Sequence, residues 1–258
     1  MYRKVYGKIN IILKVFKKNK GELKHRIDSV MQICDKMYDK IRIKKSNSII
    51  INYFNKYRQT LTIDDCSITR IIKWFKSQFP NANTNFKIDV LKNIPLNSGF
   101  GGESTDAAFI LNYLLKKNNI YSLTEEQLKD IALNVGSDIP FFLSHSYVAR
   151  VTNYGEKVKK IANSFIDYDL YPIMEKCSSQ KVYESLDKDK TFKSEYTCQS
   201  LYVDVINGTY SFVDSYNDLQ KYVFKIYPSI KKHYDKLNNF KKQPILVNGA
   251  GSYLIILN

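Results

Sequence analysis

The sequence contains no run of about 20 apolar residues, so it predicts no membrane-spanning helix. Its first residues, MYRKVYGKINIILKVF, carry charges inside their apolar stretch and lack a small-residue cleavage site, which argues against a secretory leader. Cysteine is scarce. Cys34, Cys66, Cys177 and Cys198 form no CxxC pair, a pattern that fits free thiols in a cytoplasmic protein and gives no basis for zinc or disulfides. Acidic residues are outnumbered, 25 against 40 lysines and arginines, for a formal charge of +15. A partner rich in phosphate is one reading of that excess. A composition heavy in Lys, Asn, Ile and Tyr is the other, and the even spread of lysines favours it. A nucleic-acid-binding protein would cluster its basic residues with aromatics on one strand face. They do not cluster so here, and nucleic acid is not expected as a partner.

Glycine is also sparse, with ten in 258 residues, yet three of them stand at 99, 101 and 102. The flanking pattern explains the setting. Residues 5–16 alternate as a strand, with Lys8, Asn10 and Ile12 on one face. Ile41–Ile43 and Ile49–Tyr53 read as strands joined by the turn Ser46-Asn47-Ser48. Ile68, Ile71, Ile72 and Phe75 recur at helical spacing. Phe86–Leu91 is a strand that leads into the glycines, and a helix with an apolar stripe begins at Ser104. Thr124-Glu125-Glu126-Gln127 is a capping-box signature, with Gly136 as the stop of that helix. Tyr147–Thr152 and Lys157–Ile161 read as a hairpin, Tyr168–Met174 as a strand and Ser178–Leu186 as a short helix. Residues 187–198 read as a loop. Helices over 211–226 and 228–239 follow, then strands Pro244–Val247 and Tyr253–Leu257 around a second glycine turn, Asn248–Ser252. Strands and helices mix without regular alternation, so the class is α+β. The expected domains are residues 1–150 and 151–258.

A glycine-rich loop that enters a helix N-terminus suits phosphate, because backbone N–H groups converge there and the helix end carries partial positive charge. Ser104 and Thr105 add hydroxyls. The loop is not a Walker A sequence, since no GK[ST] follows. A tight strand-to-helix turn that needs glycine for steric reasons is the alternative. Glu103 counts against phosphate, as a carboxylate competes for the same helix end.

The whole segment, Pro95-x3-Gly99-Phe100-Gly101-Gly102-x-Ser104-Thr105-Asp106-Ala107-Ala108, resembles the phosphate-loop signature of the GHMP kinases. Three further segments match in order: Gly7-Lys8-Ile9-Asn10, Gly136-Ser137-Asp138-Ile139-Pro140-Phe141-Phe142 and Asn248-Gly249-Ala250-Gly251-Ser252. Asn217-Asp218-Leu219 also matches. Within the superfamily the chain is most similar to the kinases of 4-diphosphocytidyl-2-C-methyl-D-erythritol, which serve non-mevalonate isoprenoid synthesis.

The resemblance implies a two-domain architecture. An N-terminal domain related to the second domain of ribosomal protein S5 packs on a ferredoxin-like C-terminal domain, with the active site between them. Relatives continue beyond the last glycine strand, so the ferredoxin-like half is expected to be shortened. The resemblance also implies ATP as phosphoryl donor, Mg²⁺ with it, and a small-molecule alcohol as acceptor. Pro95, Gly99, Gly101, Gly102, Ser104 and Thr105 would hold ATP. Asp138 would be the base and Lys8 its cationic partner. Asn10, His25, Tyr183 (beside Val182), Gly249 and Gly251 would bind the substrate, with Asn10 and His25 near its cytidine end.

Each assignment has a plainer alternative. Asp138 precedes Pro140 and fits a helix cap. Lys8 fits an exposed strand lysine, His25 a structural histidine, and Gly249 and Gly251 a hairpin turn. His145 and His233 carry no assignment. Three positions depart from the family: Lys24 where it has tyrosine, Cys66 where an asparagine lies near the adenine, and Glu103 in place of a small residue. They leave open another GHMP kinase, acting on homoserine, mevalonate or a sugar, or a nucleotide-binding relative with little activity.

Overall fold

Strand β1 (Arg3–Val15) forms where alternation marks it, but from Gly7 onward it is buried on both faces. Lys8, Asn10 and Ile12 are therefore as enclosed as Ile9, Ile11 and Leu13. The computed structural model describes residues 1–63, 66–162, 166–192 and 215–258. The chain divides into two compact units that interleave along the sequence. One comprises residues 1–7, 34–95 and 101–145, and the other 8–33, 96–100 and 146–258.

In the first unit, strand β2 (Ile27–Lys45) contributes its C-terminal half. It pairs antiparallel with β5 (Phe86–Leu91), Ile41 opposite Val90. Strand β3 (Ile50–Phe54) follows β2 in sequence but runs parallel to β5, Ile51 opposite Ile88. The short β4 (Thr60–Leu61) pairs with β3. The turn at 46–48 therefore carries the chain past β5 instead of closing a hairpin. Helices α1 (Ser67–Gln78), α2 (Gly102–Lys117), α3 (Glu125–Asn134) and α4 (Ile139–Leu143) complete the unit. Phe75, Ile71, Ile88, Leu111 and Ile131 are enclosed in one apolar cluster. Full burial of each such side chain stabilises the fold by roughly 1.5–3 kcal/mol.

In the second unit, the N-terminal half of β2 pairs with β6 (Val148–Asn153), and β6 with β7 (Lys157–Ala162). A second sheet has the order β8-β10-β9, formed by Tyr168–Tyr171, Leu254–Leu257 and Ile245–Val247. Helices α5 (Ser179–Lys188), α6 (Gln220–Ile226) and α7 (Pro228–Phe240) belong here. Pro228 opens α7 at the position where a missing N–H costs nothing.

Three expectations change, the first being the strand expected over Tyr168–Met174, which ends at Tyr171. The helix expected over 211–226 begins at Gln220. Tyr216 and Asp218 are committed to β1 instead: Leu13 N–H donates to Tyr216 O (2.9 Å) and Asp218 N–H to Leu13 O (2.9 Å). Residues 211–214 lie outside the described set. The N-terminal half of β2 was not expected as a strand, because Ile27–Gln32 is buried on both faces and shows no alternation.

The capping box at Thr124 forms as the spacing requires. Its hydroxyl accepts from Gln127 N–H (3.1 Å), and the Gln127 side chain accepts from Thr124 N–H (3.0 Å). Thr124→Ala should lower stability by about 1 kcal/mol, read from denaturant unfolding, and leave catalytic constants unchanged. No loss of stability would show that the cap contributes nothing.

Candidate active site

The glycine segment begins after β5 and ends in α2. Gly101 caps α2 in the left-handed region (φ 66°, ψ 30°) and, as a glycine, brings no side-chain cap to the first turn. A glycine cap lets an anion approach the helix end closely, which suits the loop reading. Glu103, the one objection in the sequence, turns toward α1. Its carboxylate accepts from Ser67 Oγ (3.0 Å) and faces Arg70 at 3.9 Å. Ser104 is half-buried, whereas Thr105 is buried. The turn before Asp138 packs beside this start: a Cβ at Gly136 would lie 3.0 Å from Ser104 Oγ.

Asp138 occupies the cap position of α4, but its carboxylate makes no capping bond. The cap alternative therefore does not account for it. It is half-buried.

Residues 96–100 belong to the other unit, and there the two glycine motifs meet. Gly99 has φ 77°, and a Cβ on it would overlap the Asn248 carbonyl, whose carbon is 2.9 Å away. The steric alternative is thus real at this glycine. Lys8 N–H donates to Phe100 O (2.8 Å), and the Phe100 ring meets Tyr253 edge-on at 4.8 Å.

Lys8 is 5% exposed, so it is not a surface lysine. Its ammonium donates to Asn10 Oδ1 (2.6 Å). Asn10 Nδ2 donates to Ser29 Oγ (2.8 Å), and Ser29 Oγ donates to Ile12 O (2.5 Å). Asn10 N–H reaches Asn248 Oδ1 (3.4 Å). Asn217, matched without a role, holds the second glycine turn by donating to Val247 O (2.8 Å) and Gly249 O (2.7 Å). Lys8, Asn10, Gly99, Gly249 and Gly251 are therefore neighbours in one network, together with Ser29 and Asn248.

His25 and Tyr183 come together, with rings stacked at 5.1 Å and 27°. His25 Nδ1 bonds Phe16 O (2.8 Å). Nε2 lies 3.0 Å from Asp187 Oδ1 yet is buried without a hydrogen bond. The short distance is a contact that lies off the bonding direction.

One cluster has no single-segment signal. Lys92, just after β5, donates to Asp39 and to Asp106 Oδ2 (2.8 Å), and all three are buried. Asp39 Oδ1 accepts from Asn93 N–H (2.6 Å) and Ile94 N–H (2.8 Å), which fixes the entry to Pro95. Asp106 Oδ1 has no partner. The adjoining space lies against Tyr53 and Cys66 and has no room for a water. Burial raises the Asp106 carboxyl to about 7; Lys92 opposes the rise and Asp39 adds to it. The two carboxylates hold Lys92 above the ordinary lysine range, against the pull of burial. Among the described residues no grouping of three or more His, Cys, Asp or Glu could hold a metal. Among the described residues no helix is long and apolar enough to cross a membrane.

Residues 67–146 match the family described as GHMP kinases N terminal domain. A relative from Ureaplasma parvum serovar 3, named 4-diphosphocytidyl-2-C-methyl-D-erythritol kinase, is 30% identical over 98% of this chain and 93% of its own length. A relative of the same name from Petrotoga mobilis is 29% identical over 98% of this chain and 97% of its own. A crystal structure of 4-(cytidine 5'-diphospho)-2C-methyl-D-erythritol kinase superposes with a TM-score of 0.74 at 20% identity, covering 100% of this chain and 90% of the other.

The raised Asp106 makes a pH prediction. An acid whose folded pKa is raised keeps its proton in the fold after the unfolded chain has released it. Its contribution is therefore full below the ordinary value of 3.8 and is lost as pH rises toward about 7. Asp106→Asn removes this titration. The Tm of the variant relative to wild type should climb between about pH 4 and pH 7 and then level off. A difference independent of pH would show that Asp106 does not titrate in that window.

Proposed function

The chain belongs to the family of 4-diphosphocytidyl-2-C-methyl-D-erythritol kinases, and we propose that it transfers the terminal phosphoryl group of ATP to the 2-hydroxyl of that substrate. The observation that carries the reading is the near-full-length relationship to kinases named for it. On this reading residues 1–150 carry the ATP-binding domain and residues 151–258 the second domain, with residues 8–33, 96–100 and 146–150 packing in the unit of the latter, and the setting is the cytoplasm.

The substrate oxygen attacks the γ-phosphorus, the bond to the β-phosphate oxygen breaks, and ADP leaves. The hydroxyl proton passes to Asp138, whose carboxylate is not committed to capping its helix. Phosphoryl transfer asks mainly for positioning and charge. Lys8 supplies charge: its buried ammonium, oriented by Asn10, favours ionised groups beside it. The triphosphate lies at the first turn of α2, against the loop from Pro95 through Gly99, Gly101 and Gly102 to Ser104. Thr105, buried in the same turn, completes the set of residues that hold it. The cytosine is read by His25, with Tyr183 on its ring face, and Asn10, Gly249 and Gly251 complete the substrate side.

Mg²⁺ arrives with ATP in this reading. The donor set fits that role, since Mg²⁺ is commonly held by substrate phosphates with one or two protein oxygens. Ser104 Oγ, at the start of α2, is the protein oxygen that could join the phosphates around it, and Mg²⁺ held there would neutralise phosphate charge.

The test is ATP consumption against 4-diphosphocytidyl-2-C-methyl-D-erythritol, mevalonate and homoserine, with wild type and Asp138→Asn. Turnover is expected with the first alone. In the variant it should fall by a factor on the order of 10²–10⁴ with ATP affinity little changed. Turnover with mevalonate or homoserine would reassign the substrate. A variant as active as wild type would remove Asp138 from the mechanism.

A further inference from the structure

Phe16–Arg26, which joins β1 to β2 and carries His25, forms neither helix nor strand. Its backbone ties are Phe16 N–H to Arg26 O (2.9 Å) at the base and Glu22 N–H to Asn19 O (3.1 Å) in a turn. Side chains hold the rest. On one flank Lys17 Nζ donates to Lys190 O (3.1 Å), Lys18 pairs with Asp187 (2.9 Å), and His25 stacks on Tyr183.

On the other flank a single carboxylate gathers the loop. Glu22 Oε2 accepts from Asn19 N–H (2.7 Å), and Oε1 from Asn19 Nδ2 (3.2 Å). Arg26 Nε lies 3.2 Å from Oε1. The hydroxyl of Tyr154 donates to the same oxygen (3.1 Å) across 132 positions of sequence. Tyr154 sits in the turn between β6 and β7, and that turn is itself locked. Glu156, 8% exposed, accepts from Tyr154 N–H (2.9 Å) and Asn153 Nδ2 (3.2 Å). Glu22 thus joins the turn of the loop, its exit at Arg26 and a fixed hairpin, three residues before His25.

We propose that Glu22, acting with Tyr154, is a positioning residue for the substrate: it sets where the loop presents His25. The proposal rests on the reading of His25 as a cytosine contact. The Asn19 N–H holds the Glu22 carboxyl below the ordinary range, with burial opposing it and the Tyr154 hydroxyl and Arg26 adding to it, so it remains an ionised acceptor at neutral pH. Neither residue touches the reacting atoms. Loss of the clasp should therefore weaken substrate binding and spare the chemical step.

The test uses Tyr154→Phe, which deletes one hydroxyl, and Glu22→Gln, which removes the charge. In both, KM for the cytidyl substrate should rise by about three- to tenfold, with kcat within about twofold and KM for ATP unchanged. A merely structural role would lower Tm and leave KM where it was, and that result overturns the proposal. A fall in kcat at constant KM overturns it as well. A wild type with no turnover of the cytidyl substrate would overturn the kinase reading and this proposal with it. An active wild type with unchanged variants overturns the positioning role alone.

Discussion

The approach of Gly99 to the Asn248 carbonyl is the contact on which the substrate-side network depends. No Cβ fits between them, so only glycine allows the loop segment 96–100 to lie on the second glycine turn. Any other residue there meets both that overlap and a left-handed backbone, which alone costs roughly 1–2 kcal/mol. Once the two backbones meet, Lys8 is fastened to Phe100 and Asn10 to Asn248. The groups assigned to charge and substrate recognition thus take their places from main-chain sterics, which do not relax as a flexible side chain would.

The other unit orders its part of the loop by electrostatics. Asp39 holds the amides of Asn93 and Ile94 just before Pro95, and Lys92 holds Asp39. Two carboxylates share one ammonium in a buried site, and the Asp106 carboxyl, raised to about 7, relieves the mismatch by keeping its proton below that pH. Buried charge sets of this kind are weak sources of net stability. Here the cluster fixes a direction: the chain leaves β5 and enters the glycine loop at one angle.

Short-range features were legible in the sequence. The Thr124 box, the hairpin near 153–156, α1 and both glycine turns rest on residues within a few positions of each other. Lys8 beside Asn10 was legible too, as i and i+2 on one strand face. Features that join distant residues were not. Asp39 and Lys92 stand 53 positions apart, and Glu22 and Tyr154 stand 132 apart. Double burial removed the alternation that would have marked the N-terminal half of β2. Helix periodicity extended 211–226 too far because it could not show that Tyr216 and Asp218 bond to Leu13. Cys198 lies outside the described residues.

The central claim is that this fold presents a site for a cytidine diphosphate substrate. It is tested most directly by kcat/KM for the cytidyl and uridyl forms of the substrate, in wild type and in His25→Ala. The uridyl form exchanges an amino group for a carbonyl at position 4, and a pocket that reads that edge leaves its partners mismatched, at about 1–3 kcal/mol for each unsatisfied group. The account predicts a wild-type preference for the cytidyl form that collapses in His25→Ala. Equal use of both forms by the wild type would contradict it.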